Sequence, residues 1–387
     1  MRLSQIHKLY ISNFLTGLVF WYGIEKLFMS SIGINAVGVG TATAVLLAFN
    51  LLFDIPSGIL ADKWSRKGML FVSAVSLAVS SVILGLSTGL ALYIVGYLFY
   101  GVYVVSTSGT FQAIMYDSLH EQGRAKQYSK INGRAYALFL AGAGVANVAG
   151  GFIANSLSYS TTFYITVISC VINALLILSL KEPVFHKDEQ KERVLKQLGK
   201  STKTLVSIHL LRSLVIVISA FAIVELFMND FGQLYMLRYV NQPQIIGILW
   251  ALYAFTWALG SLIAHKFRNR LTVLVLLNTI PIVCMALIDN WFSLVLFMVQ
   301  AVAAAVLFNQ IETRVQENTP SSVRASVLSV LSALGRAISV PASFILGWLF
   351  VRYDALWALR FVAAIAAITL IYWLWASRVM VKEKSNI

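Results

Sequence analysis

The amino-acid sequence predicts an all-α membrane protein with twelve transmembrane helices in two pseudo-symmetric six-helix bundles. Three observations support this fold class: the composition, the recurrence of long apolar runs and an internal duplication. Of the 387 residues, 59% are hydrophobic and only 12% are charged, and the mean hydropathy is +0.79. Soluble domains are about 45–50% apolar and about 25% charged, so this composition is typical of a chain embedded in a lipid bilayer.

Apolar runs recur from one end of the chain to the other. Each has about 18 or more residues, which is enough for a helix to cross the roughly 30 Å of hydrocarbon in a membrane. The predicted spans are residues 8–31, 40–61, 69–88, 90–116, 128–155, 160–180, 204–230, 243–264, 271–288, 291–316, 323–350 and 355–377.

The distribution of basic residues predicts how the chain lies in the membrane. Both termini and the turns after even-numbered spans are rich in Lys and Arg, whereas the opposite turns at 31–39, 87–90 and 156–160 contain none. The positive-inside rule then predicts a cytoplasmic (inner) membrane protein with both termini in the cytoplasm. The formal net charge of +14 is explained by the anionic lipids of the inner leaflet, so no nucleic-acid partner is invoked.

The two halves of the chain resemble each other at an offset of about 200 residues, as expected of a duplicated sequence. Glu25-Lys26-Leu27-Phe28-Met29 in span 1 is echoed by Glu225-Leu226-Phe227-Met228 in span 7. The predicted organisation is a first bundle at 1–180, a charged cytoplasmic linker at 181–203, a second bundle at 204–378 and a cytoplasmic tail at 379–387. A six-plus-six duplication is typical of carriers, whose substrate site lies between the halves.

A charged turn joins spans 2 and 3. Residues 54–67 read Asp-Ile-Pro-Ser-Gly-Ile-Leu-Ala-Asp-Lys-Trp-Ser-Arg-Lys. The turn resembles the signature Gly-x-x-x-Asp-(Arg/Lys)-x-Gly-Arg-(Arg/Lys) of the major facilitator superfamily at Gly58, Asp62, Lys63, Arg66 and Lys67. The departure is Ser65, which stands where the family usually has glycine. The span count and the linker extend the resemblance over essentially the whole chain, which implies the fold of that superfamily.

In this superfamily the turn acts as a latch that holds the two halves together when the cavity opens outward. Gly58 permits the close approach of a neighbouring helix, and Asp62 suits a helix N-terminus such as the predicted start of span 11 at 319–323. Arg66 needs an acidic partner, for which Asp117 at the end of span 4 is the candidate. The predicted latch comprises Gly58, Asp62, Arg66, Lys67 and Asp117. The alternative is that the basic residues only determine topology.

Four acidic residues are candidates for proton coupling. Glu25 and Glu225 occupy repeat-related positions in spans that line the cavity in this superfamily. A carboxylate in apolar surroundings binds a proton more readily than one in water, which suits a group that is loaded and unloaded in each cycle. Asp54 within span 2 and Asp230 near the outer end of span 7 complete the set. A fixed ion pair, with Lys26 in the case of Glu25, is the alternative.

Span 5 contains Gly142-x-x-x-Ala146-Asn147-x-x-Gly150-Gly151, which resembles the antiporter motif of drug exporters with Ala146 and Asn147 in place of Gly-Pro. Close packing of small residues without directional meaning is the alternative. Span 4 lacks the intramembrane arginine of many drug–proton antiporters. The residues predicted to line an amphipathic substrate cavity are Trp21, Tyr22, Gln112, Asn147, Asn229, Asn309, Glu312 and Arg336.

The combined features predict a proton-coupled exporter of drug-like or natural-product molecules that works as a monomer by alternating access. Its partners would be a small-molecule substrate, protons and membrane lipids. No nucleotide-binding loop, metal-binding His-Glu-x-x-His or serine-nucleophile motif is present, so neither an enzyme nor a cofactor nor a metal is expected. The alternatives are an uptake symporter for a metabolite or lipid-like solute and a membrane receptor that transports nothing.

Overall fold

The computed structural model describes residues 4–182, 205, 208–268, 270–320 and 324–385, with backbone only for 324–326 and 380–385. The predicted linker at 181–203 lies outside the described residues except for Lys181 and Glu182, and so do residues 386 and 387 of the predicted tail.

The α-helices are α1 Gln5–Gly17, α2 Glu25–Ser31, α3 Ala36–Lys63, α4 Arg66–Gly85, α5 Leu90–Thr107, α6 Thr110–Glu121, α7 Tyr128–Ser156, α8 Tyr159–Leu178, α9 His209–Leu226, α10 Gly232–Met236, α11 Pro243–Ile263, α12 Leu271–Leu287, α13 Ser293–Glu317, α14 Arg324–Arg352 and α15 Ala355–Ser385.

Ten helical segments in this part of the chain are long and apolar enough to cross a membrane. The predicted spans at 8–31 and 271–288 are not among them, because the first is divided between α1 and α2 and the second, α12, has only 17 residues. The prediction of an all-α membrane protein is therefore confirmed. The number of twelve crossings stays a prediction.

The first predicted span is a broken helix, whereas the sequence predicted a continuous one. The α-helix ends at Gly17 and resumes at Glu25, after a single 3₁₀ turn at Tyr22–Ile24. Side chains of α8 satisfy the interrupted backbone: Phe20 N donates to Thr166 Oγ1 at 3.0 Å, and Ser169 Oγ donates to Leu18 O at 2.9 Å. Because lipid offers no hydrogen bonds, an irregular segment at membrane depth needs such partners.

Local chemistry explains where several helices begin. The side chains of Ser4, Asn35, Ser65 and Ser158 accept hydrogen bonds from backbone N–H groups in the first turns of α1, α3, α4 and α8. Such N-caps satisfy donors that a helix leaves without intrahelical partners. The predicted span at 90–116 is divided into α5 and α6 at Gly109, whose φ of 71° is in the left-handed region that glycine adopts readily.

The chain forms two compact units. The first comprises Met1–Asp188 with Val240–Leu252, and the second comprises Glu189–Tyr239 with Tyr253–Ile387, so α11 is shared between them. In the first unit α4 packs against α5 and α8, and α1 packs against α7. In the second, α12 packs against α13 and α15, and α9 packs against α14 and α15. The predicted bundles at 1–180 and 204–378 stay a prediction.

Each unit has an apolar core formed by residues from its own part of the sequence. Leu9, Ile114 and Ala135 belong to the core of the first unit, and Leu211 and Leu274 belong to that of the second. Many other large apolar side chains remain exposed, which is expected of helices whose outer faces contact lipid.

Candidate functional site

Glu25 is the first residue of α2 and lies in a buried polar cluster of the first unit. Its side chain and that of Lys26 are 5% and 2% exposed, and Lys26 Nζ lies 2.9 Å from Glu25 Oε2 and 3.0 Å from Tyr97 Oη. Tyr93 Oη donates to Glu25 Oε1 at 2.7 Å, and the Tyr97 hydroxyl donates to the same oxygen. Glu25 is thus held in an ion pair with both carboxylate oxygens hydrogen bonded.

The break in the first span and the spacing on α5 build this cluster. Tyr93 and Tyr97 are four residues apart, so they share one face of α5. Beside them, Trp21 is fully buried, stacks on Phe163 at 5.2 Å between ring centroids and donates through Nε1 to Ser81 Oγ. A buried ion pair is tolerated only when hydrogen bonds satisfy its remaining groups, and the two tyrosine hydroxyls do so here.

Glu225, near the end of α9 in the second unit, has different partners. Gln300 Nε2 donates to its Oε1 at 3.1 Å, and Asn229 Nδ2 donates to its Oε2 at 3.3 Å. The buried Tyr253 faces the same carboxylate. All three partners are neutral, and within the described ranges Glu225 forms no ion pair. This partly buried carboxylate therefore lacks the counter-ion that Glu25 has.

The helix that carries Glu225 changes its winding directly after it. Residues Phe227–Phe231 form a π-helical segment that contains Asn229 and Asp230. Asn229 Nδ2 also donates to Glu225 O at 2.9 Å, so its amide binds both the backbone and the side chain of Glu225. π-Helical segments are frequent at functional sites. Sequence patterns gave no indication of this one.

The charged turn is organised around Arg66, at the start of α4. Arg66 forms an ion pair with its expected partner, Asp117 of α6, and its second nitrogen lies 3.4 Å from Asp62. The predicted partner of Asp62 at 319–323 falls mostly outside the described residues. Among the described residues, a Cβ at Gly58 would meet nothing within 4 Å, so the close helix approach expected there stays a prediction.

Glu182 is a partner of this turn that sequence analysis missed. Its carboxylate accepts from Ser65 Oγ at 2.6 Å, Arg66 N at 2.8 Å and Lys67 N at 3.1 Å. A carboxylate at a helix N-terminus is stabilised by the free N–H groups and by the helix dipole. Ser65, in the position that the family usually gives to glycine, thus both caps α4 and binds Glu182. Lys67 reaches away from Asp117, because its Nζ donates to Leu178 O at 2.7 Å.

Asp54 and the predicted cavity residues are distributed over both units. Asp54 is partly buried in α3, which contains Pro56. Asn309 Nδ2 donates to Ser261 Oγ at 3.3 Å. Of the predicted cavity residues, Trp21 and Asn147 are buried and Tyr22 and Gln112 are exposed, and all four lie in the first unit. Those of the second unit are all partly buried: Asn229, Asn309, Glu312 and Arg336.

The small-residue motif of α7 forms close helix contacts. A Cβ at Gly150 would lie 1.8 Å from Phe20 O, and one at Gly142 would lie 2.4 Å from Phe14 O. The neighbouring Gly151 faces the start of α11, where a Cβ would lie 2.7 Å from Pro243 O. These glycines therefore let α7 contact the backbone of the first span and of α11.

Helices long and apolar enough to cross a membrane, arranged in two compact units, and a charged turn with an Arg–Asp pair are typical of a membrane transporter. The sequence matches the model of the Major Facilitator Superfamily over residues 9–337, and the chain belongs to this family. A search of curated protein sequences finds no match.

Three solved structures illustrate the similarity of fold. The nucleoside transporter NupG has a TM-score of 0.83 and 16% identity, covering 96% of this chain and 100% of the other. A bacterial homologue of the human lysosomal transporter Spinster has a TM-score of 0.74 and 15% identity, covering 98% and 96%. A POT peptide transporter has a TM-score of 0.76 and 11% identity, covering 97% and 94%.

Proposed function

We propose that this protein is a proton-coupled exporter of amphipathic drug-like or natural-product molecules, working by alternating access in the inner membrane. The observation that carries proton coupling is the set of neutral partners around Glu225. Such a carboxylate can gain or lose a proton without leaving a buried counter-ion unpaired, which would be strongly destabilising. Glu225 is therefore the proton carrier in this mechanism.

The other predicted residues take supporting roles in the proposal. Glu25 stays ionised through the cycle, because protonating it would break its ion pair with the buried Lys26. The Arg66–Asp117 pair acts as the latch that stabilises one conformation of the carrier. Asp54 and Asp230 are secondary candidates for proton coupling.

Uptake is the second candidate for the direction of transport. Two of the structural neighbours are a nucleoside transporter and a peptide transporter, which makes polar metabolites of those classes reasonable substrates for a proton-driven symporter. The same role of Glu225 serves either direction. In export the proton and the substrate occupy the carrier in alternate half-cycles, whereas in uptake both are bound together.

Transport by purified protein in liposomes under an imposed pH gradient tests the proposal. The panel should contain lipophilic drug-like cations, nucleosides and dipeptides. We expect gradient-driven movement of at least one class, lost in Glu225→Gln and kept in the control Glu317→Gln, an exposed acid of the same unit. Full gradient-driven activity in Glu225→Gln would remove this residue from the mechanism. Binding without movement would favour a receptor.

A further inference from the structure

Among the described residues of the second unit, the polar side-chain atoms that are buried without a hydrogen-bond partner include Tyr235 Oη, Ser293 Oγ and Gln300 Oε1. All three residues are completely or almost completely buried. An unpaired polar atom in a protein interior is costly, and groups of this kind are normally bridged by ordered water. Their common location therefore needs an explanation.

The three residues line one narrow strip between α10 and α13. Ser293, Phe297 and Gln300 are at helical spacing and share one face of α13, over a length of about 10 Å. Tyr235 of α10 lies beside Ser293, and its ring is parallel to that of Phe297 at 6.5 Å between centroids. Tyr253 contacts Phe297 from α11, with centroids 5.3 Å apart.

One end of this strip reaches Glu225. Gln300 Nε2 donates to Glu225 Oε1 at 3.1 Å, and Tyr253 faces the same carboxylate. The elements packed against α9 carry several charged residues, among them Asp230 of the π-helical segment, Glu312 of α13, Arg336 of α14 and Arg360 of α15. In the described structure Glu225 forms no ion pair with either arginine.

The other end of the strip reaches an exposed ion cluster. The ring of Tyr239 lies 5.7 Å from that of Tyr235, and its hydroxyl donates to Asp289 Oδ1 at 3.1 Å. Arg238 binds Asp289 through two hydrogen bonds of 2.7 and 2.5 Å and lies 3.4 Å from Asp354. The turns after α10, α12 and α14 meet here, at the end predicted to face away from the cytoplasm.

Asp289 itself is held in its ionised form. The hydrogen bonds from Arg238 keep the pKa of Asp289 below its usual range. Asp289 is therefore a fixed acceptor that orients Tyr239, and its negative charge attracts protons to this end of the strip.

We infer that Tyr239, Tyr235, Ser293 and Gln300, bridged by ordered waters, form a proton path from the outer surface to Glu225 inside the second unit. The inference rests on the proposed role of Glu225 as proton carrier. Each hydroxyl or water of the path accepts one proton and passes on another, so the path keeps no charge. Gln300 relays no proton itself: its Oε1 accepts from the last water, which gives its proton to Glu225. The net result is one proton taken from the outer water and one neutral Glu225 carboxyl.

Time-resolved infrared spectroscopy after a drop in external pH tests the path without a substrate. The protein is reconstituted in liposomes of phosphatidylethanolamine and phosphatidylglycerol, and the Glu225 carboxyl band is identified by its loss in Glu225→Gln. We expect Tyr235→Phe and Ser293→Ala to slow the appearance of this band about tenfold, the effect of losing one hydrogen-bonded step, while its final amplitude is unchanged.

Tyr372→Phe and Ser343→Ala are the matched controls, because both hydroxyls lie in the same unit but have protein partners, Ser213 Oγ and Val340 O. The path is supported if the Glu225 band appears at the same rate in the two control variants as in the unmodified protein, and more slowly in Tyr235→Phe and Ser293→Ala. A Glu225 band that appears equally fast in Tyr235→Phe and Ser293→Ala would overturn the path alone. The absence of any Glu225-dependent band would overturn the proposed proton carrier, and the path with it.

Discussion

Glu25 and Glu225 are equivalent in the sequence repeat, yet their surroundings differ because of one neighbouring residue. Lys26 follows Glu25 and binds it, whereas the apolar Leu226 follows Glu225. Amide groups of Gln300 and Asn229 take the place of the cation. The repeat therefore contains one carboxylate held in an ion pair and one surrounded by neutral groups, a difference that appears only once their partners are located.

The Glu25–Lys26 pair makes a prediction about stability. Replacing Glu25 by Gln removes the carboxylate that pairs with the buried Lys26, and we expect the free energy of unfolding to fall by about 3–5 kcal/mol. Adding Lys26→Met should restore most of this stability, because the buried charge of Lys26 is then removed as well. Thermal unfolding of the detergent-solubilised variants measures both effects, with the exposed Glu317→Gln as control. Equal melting temperatures for Glu25→Gln and the unmodified protein would contradict the fixed ion pair.

At the scale of elements, the helices α1 and α7 show how small residues determine packing in this protein. The glycines of α7 allow contact with carbonyl groups of the first span, where no side chain fits. The broken backbone after Gly17 is satisfied by Thr166 and Ser169 of α8. The motif that resembles an antiporter signature is thus used in packing within the first unit, and its directional meaning stays a prediction.

Two glycines of α7 provide a matched test of this packing. A methyl group at Gly150 would lie 1.8 Å from Phe20 O, whereas one at Gly144 would meet nothing within 4 Å. We expect Gly150→Ala to lose about 1–3 kcal/mol or more through overpacking, and Gly144→Ala to lose none. Unfolding midpoints of the two variants, measured side by side, decide the matter. A similar loss in both variants would show that helix contact is not the reason for Gly150.

At the scale of the whole molecule, the distribution of Lys and Arg predicts orientation, and the fold supplies exposed positions to test it. Trp64 lies in the basic turn between α3 and α4 and is 58% exposed, while Leu157 lies between α7 and α8 and is 70% exposed. These two turns are at opposite ends of the first unit, because three spans in alternating directions separate them: α4, the span divided into α5 and α6, and α7.

Labelling of single cysteines with a membrane-impermeant maleimide tests the orientation. The two native cysteines, Cys170 and Cys284, are first replaced by alanine. We expect Leu157→Cys to react in intact cells and Trp64→Cys to react only after permeabilisation, because basic turns stay in the cytoplasm. The reverse pattern would show that the predicted orientation is wrong.

The sequence by itself determined the all-α membrane class and the family, because apolar length and a charged turn are local properties of the chain. It also identified Glu25, Glu225 and the Arg66–Asp117 pair as residues of interest. The span boundaries predicted from the sequence are wrong at the first span and at Gly109. The helix breaks there depend on hydrogen bonds from other helices or on a glycine conformation.

Only the tertiary structure decided which acid is paired and which is surrounded by neutral groups. The contacts of Glu182 with the turn and of Gln300 with Glu225 join residues that are 116 and 75 positions apart in the chain. Periodicity and motifs describe one helix or turn at a time. Partners of a buried charge are determined by how helices pack, so the surroundings of each carboxylate could be described only from the folded molecule.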